Sequence, residues 1–242
     1  MRLSINGHLK VCESFILAAA VLSVAMPAFA STLNLSTGYN SGGTLICASG
    51  ATSCSGSDAN WNVVDYGDSF SNTPTPSQAA KIVNPSDADW YGGWVANASA
   101  TPASDWIAYD PSNCCDNGLG IYTVIFILSA ADLSTVSLSG SWTLDDSGVL
   151  LLNGNQLGSL SGDWGSMNAF TTVTAGSSDF VAGLNTLQAE ITGSDVYLEG
   201  VNVSATLTGY TATATTPEPS HITMVLAAGV ILLVFARRKA LV

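Results

Sequence analysis

Trp142-Thr143-Leu144-Asp145-Asp146-Ser147-Gly148-Val149-Leu150-Leu151-Leu152-Asn153-Gly154 is the stretch on which the reading of the fold turns. Gly148 to Leu152 is a short apolar strand, and Asn153-Gly154 after it is the favoured pair for a tight hairpin turn, because both central residues of that turn need positive φ. Upstream, Val136, Leu138, Trp142 and Leu144 alternate with Ser137, Ser139, Ser141 and Thr143, with Gly140 at one inward position. Downstream, Leu187, Ala189 and Ile191 alternate with Gln188, Glu190 and Thr192, and Val201, Val203, Ala205 and Leu207 with Asn202, Ser204, Thr206 and Thr208. A period of two gives each strand one dry and one wet face. Ile121 to Leu128 is apolar nearly throughout, which predicts a central strand covered on both sides. No sustained helical stripe interrupts these strands, so the expected class is all-β, a β-sandwich. Residues 31–120 carry Pro74, Pro76, Pro85, Pro102 and Pro111 and are expected to be dominated by loops.

The order Asp145-Asp146, Gly148, apolar strand, Asn153-Gly154, then Gln156-Leu157-Gly158, resembles the strand and hairpin of galactose-binding-like jelly rolls. The likeness covers roughly residues 134–207 and implies a jelly roll-like sandwich. Some members of that group bind sugars, but a shared fold does not carry a function.

Both ends read as targeting segments. Arg2 and Lys10, a mostly apolar run from Phe15 to Met26, and Ala28-Phe29-Ala30 fit a signal peptide over residues 1–30, cut by signal peptidase before Ser31. At the other end, a Thr/Ala-rich spacer (208–216) leads to Pro217-Glu218-Pro219. Ile222 to Ala236 is then apolar except for Thr223, and Arg237-Arg238-Lys239 follows. An apolar run with a basic cluster behind it reads as a transmembrane helix whose charges stay inside. This ending over residues 217–242 resembles the PEP-CTERM sorting signal of Gram-negative bacteria that make exopolysaccharide. The resemblance implies an exosortase partner in the inner membrane and removal of the tail near Pro217-Glu218-Pro219. The chain would then be anchored only transiently before release to the outer envelope or beyond. The expected order is therefore a signal helix, a sandwich over 31–207, the spacer, and a C-terminal transmembrane helix.

Charge excludes whole classes of function. Residues 31–216 hold 16 acids and one base, Lys81, a net charge of −15, with no arginine and no histidine. Nucleic-acid binding needs clustered cations, and catalysis through an imidazole needs a histidine. Neither is available between the two ends.

The remaining chemistry lies in four places. Cys47, Cys54, Cys114 and Cys115 are expected to form structural disulfides rather than a zinc site, because the C-x-x-C spacing is missing and export favours oxidation. Adjacent Cys114 and Cys115 are ill-placed to bond each other, so the expected bridges join Cys47 and Cys54 to that pair. Asp145 and Asp146, fixed by the hairpin after them, are the candidate calcium ligands against the competing reading of a solvated acidic surface. Otherwise no cofactor is expected. Trp90, Tyr91 and Trp94 form a candidate sugar-stacking platform, whereas Trp142 is assigned to the core. Glu190 and Glu199 are the two glutamates available to a carboxylate-dependent hydrolase, and otherwise read as exposed strand positions. The main expectation is an exported, non-enzymatic envelope or matrix protein. The alternatives are a carbohydrate-binding module for exopolysaccharide and a glycoside hydrolase.

Overall fold

Burial follows the alternation of the sequence closely in the computed structural model, which describes residues 30–66, 73–86, 92–110, 118–193 and 199–211. The strands are β1 (Ala30–Asn34), β2 (Ser57–Asp65), β3 (Gln78–Ile82), β4 (Ile107–Ala108), β5 (Leu119–Leu128), β6 (Ser137–Asp145), β7 (Ser147–Leu152), β8 (Asn155–Ser161), β9 (Asn168–Ala169), β10 (Gly183–Thr192) and β11 (Gly200–Thr211). A 3-10 turn, Asp132–Ser134, follows β5. Every pairing is antiparallel, in the order β8-β7-β10-β5-β2-β3-β4-β11-β6-β9, with β1 added alongside β11. The sheet curls on itself, so that β10 packs against β6 and β11 across the core, in a jelly roll-like sandwich. No helix among the described residues is long and apolar enough to cross a membrane, and the two terminal helices expected from sequence lie outside those residues.

The inward residues of the alternating strands are the core. Leu138, Trp142 and Leu144 of β6, Leu187, Ala189 and Ile191 of β10, and Val201, Val203, Ala205 and Leu207 of β11 are buried, together with Trp61 of β2. Each large side chain buried here contributes about 1.5–3 kcal/mol relative to exposure. Asn153 and Gly154 adopt φ of 52° and 83° and join Leu152 to Asn155 across the β7–β8 hairpin. The Asn153 amide also donates to the Asp179 carbonyl and to Asn185 Oδ1, and its own oxygen accepts from Thr186 N–H. The side chain thus ties the hairpin tip to β10.

Three expectations change. β5 is central, between β10 and β2, but it is covered on one face only: Tyr122, Val124, Phe126 and Leu128 point inward, while Ile125 and Ile127 are exposed. The wet face of β11 is not wet, since Asn202 and Ser204 are buried beneath the 92–106 segment. Ser104 Oγ donates to Asn202 Oδ1, and Ser204 Oγ donates to the Pro102 carbonyl. Residues 31–120 are less loop-dominated than expected. β2 and β3 sit in mid-sheet, with Trp61, Val63, Ala80 and Ile82 in the core.

Candidate functional site

At one end of the sheet, on its outer side, the chain between β3 and β4 builds a second, small core from Val83, Trp94, Trp106 and Ala108. Trp94 and Trp106 stack with centroids 4.2 Å apart and planes 17° from parallel. Each indole N–H is used: Trp106 Nε1 donates to the Val95 carbonyl, and Trp94 Nε1 donates to Asp145 Oδ2 at 2.6 Å. Asn97 pins the segment, donating to the Val83 carbonyl and accepting from Trp106 N–H. Trp94 is therefore not the exposed platform expected from sequence, because packing on Trp106 buries it. Its companions Trp90 and Tyr91 lie outside the described residues.

Beside this small core lies a cavity of about 290 Å³. Gly92, Trp94, Ala96 and Asn97 line one side, and Pro85 with Ala48, Gly50 and Ala51 lines the other. The last three belong to the loop closed by a disulfide between Cys47 and Cys54. This corrects the expected pairing of those cysteines with Cys114 and Cys115, which lie outside the described residues. The physical reason is local. Cα atoms of Cys47 and Cys54 stand 5.4 Å apart, inside the disulfide range, and a loop this short costs little entropy to close. None of the described residues lining the cavity has a titratable side chain.

Sequence reasoning missed the buried carboxylates beneath the loop. Asp105 and Asp58 are both buried, on either side of Gly38. Gly38 has φ of +99°, and a Cβ there would fall 2.6 Å from Asp105 Cβ, so only glycine fits. Asp105 Oδ2 accepts from the Cys47 N–H at 2.8 Å, while its Oδ1 is buried with no hydrogen-bond partner. Burial, with the nearby charge of Asp58 adding to it, pushes Asp105 from 3.8 up to about 7. Burial also raises Asp58, despite backbone N–H groups of Trp61, Asn60 and Gly38 bonded to its oxygens. The available signal was an acid directly before the apolar run Trp106-Ile107-Ala108.

The other candidates are placed as follows. Asp145 ends β6 as the acceptor for Trp94, the peptide bond joining it to Asp146 is cis, and Gly162 N–H donates to the Asp146 carbonyl. Among the described residues no group of three or more His, Cys, Asp or Glu side chains gathers to hold a metal. Glu190 accepts from Gln188 on the outer face of β10, and Glu199, expected to be exposed, is buried just before β11. Lys81 pairs with Asp110 at 3.3 Å. Pro217, Glu218, Pro219, Arg237, Arg238 and Lys239 lie outside the described residues.

No protein-family model matches the chain, nor does any curated protein sequence. Among solved structures it is similar to the β-glucuronidase of Ruminococcus gnavus, with 11% identity over 76% of this chain and a TM-score of 0.34. The chain spans 29% of that enzyme's length. It is similar to the CBM36-1 domain of a multidomain xylanase from the hindgut metagenome of Trinervitermes trinervoides, with 10% identity, 62% of this chain and 96% of that one covered, and a TM-score of 0.29. A family 35 carbohydrate binding module from Clostridium thermocellum shares 17% identity over 47% of this chain and 83% of its own, with a TM-score of 0.27.

Proposed function

We propose that the sandwich is a non-catalytic binding module for a neutral polysaccharide, exported by its signal peptide and sorted through its PEP-CTERM-like tail by an exosortase. The observation that carries the reading is the cavity beside Trp94. Its volume of about 290 Å³ suits one small ring or chain end, and its lining of Ala and Gly residues leaves backbone groups within reach of hydroxyls. Among the described residues that lining carries no titratable side chain, which supports binding rather than cleavage. The charge of −15 on residues 31–216 repels polyanions and favours a neutral polymer. A disulfide closing the loop is suited to an oxidising, exported setting.

The test is titration of the full chain with a panel of neutral and acidic polysaccharides, compared with Ala51→Trp, which fills the cavity. Binding of a neutral polymer that the variant loses is the expected result. Binding unaffected by Ala51→Trp, or release of reducing sugar from any polymer, overturns the reading.

A further inference from the structure

The four large apolar side chains left exposed among the described residues all lie at one tip of the sandwich: Ile125 (54% exposed), Ile127 (72%), Val181 (42%) and Leu184 (58%). Leu184 sits directly opposite Ile127 in the β10–β5 ladder, and Gly183 beside it opposes Leu128. The loop that follows β5 continues the surface with exposed, uncharged Ser129, Ala130 and Ala131. The first acid beyond them, Asp132, is buried. Asp179, two residues before Val181 and half-buried against Ser177, is the acid at the edge of this surface. An apolar surface with so little charge is unexpected on a stretch carrying 16 acids and one base, and patches of this kind mark contact sites.

Both ends of the domain leave from the same tip. Thr211, the last residue of β11, donates its N–H to Asp132 Oδ1, while the other oxygen of Asp132 accepts from Ser129 N–H, one residue beyond β5. Ala30, the first residue of β1, pairs with Thr211. Before processing, the apolar runs 15–26 and 222–236 are thus both tethered to the tip that carries Ile127 and Leu184, and after a cut before Ser31 the second run alone is. Residues 212–221 separate Thr211 from the second run, a reach of about 35 Å when fully extended.

We propose that this tip is a membrane-contact surface: while the chain is anchored through residues 222–236, Ile125, Ile127, Val181 and Leu184 rest in the interfacial region of a bilayer. The inference depends on the tail being membrane-inserted, as in the proposed sorting route. A second copy is a poorer occupant, because two domains each bearing −15 repel one another, whereas a zwitterionic lipid surface carries no opposing charge. Side chains of this kind bind an interface in proportion to the apolar area they bury, and anchoring by the tail raises their effective concentration there.

The experiment uses the full chain reconstituted with phosphatidylcholine vesicles and a benzophenone amino acid at Ile127 or, as a control at the far end of β10 on the same sheet face, at Thr192, which pairs with Leu119. The expected result is a chain that floats with the vesicles and forms lipid adducts from position 127 but not from 192. Leu184→Asp is expected to abolish the adduct without affecting flotation. A floating chain that gives chain-to-chain adducts at 127, or none, overturns the membrane-contact surface and leaves the tail reading standing. A chain that does not float overturns the tail reading and the contact surface with it.

Discussion

The Trp94 indole N–H and the Asp145 carboxylate, 51 residues apart, meet at 2.6 Å and fasten the β3–β4 segment to the end of β6. The bond gives Asp145 a structural use: its Oδ2 is an acceptor that holds one wall of the cavity in place.

Trp94→Phe keeps most of the ring packing on Trp106 and removes the donor. A hydrogen bond to a charged group contributes about 1.5–3 kcal/mol, so denaturant unfolding should show a loss of that order. Asp145→Asn retains an acceptor and should cost less. Removing the acceptor altogether with Asp145→Ala should cost about as much as Trp94→Phe, and a negligible loss there would mean that the ring, not the bond, matters.

The disulfide should be found between Cys47 and Cys54 by non-reducing peptide mapping. Replacing both by Ala frees a loop with a sequence separation of 7, for which chain entropy gives roughly 2.5 kcal/mol of destabilisation. Ala48, Gly50 and Ala51 wall the cavity, so polysaccharide binding should weaken in the same variant.

Stability should fall as pH rises from about 4 to about 7. Below 3.8 Asp105 is protonated in both states; between 3.8 and about 7 only the folded state holds the proton, so folding is progressively disfavoured until pH passes the folded value. Asp132 works in the opposite sense at lower pH. Burial would raise it, but hydrogen bonds from Ser129 and Thr211 outweigh that and lower it, so its contribution is lost on acidification below 3.8. Thermal melts across pH 3 to 9 should therefore slope downward toward neutrality, and Asp105→Asn should reduce the slope, leaving the part due to Asp58, which burial raises in the same sense. A slope unchanged in that variant assigns the effect elsewhere.

Asn153 combines a left-handed backbone with three hydrogen bonds to Asp179, Asn185 and Thr186. Asn153→Gly keeps the first and loses the second, while Asn153→Ala loses both. The expected order of stability is wild type, then Gly, then Ala, with the last about 2–3 kcal/mol below the first. Equilibrium urea unfolding gives the order directly.

Intact mass of the chain secreted by its native host should correspond to a start at Ser31 and loss of the tail beyond Pro219. A secreted species that keeps Arg237 and Arg238 would leave residues 217–242 as a plain anchor.

The all-β class, the strands β5, β6, β7, β10 and β11 and the Asn153-Gly154 turn were determined by sequence alone. Each depends on local alternation or on the φ preference of two residues, and such signals need no knowledge of distant contacts. What the outward faces meet was decided by the tertiary structure. Asn202 and Ser204 alternate like solvent-facing residues but lie beneath the 92–106 segment, whereas Ile125 and Ile127 look like core and stand exposed. Alternation states which residues share a face, not whether another layer covers it. The partner of Cys47, the burial of Trp94 and the raised affinity of Asp105 for its proton have the same origin. Each depends on a residue brought close by the curl of the sheet or the closure of a loop, and one-dimensional spacing carries no record of that approach.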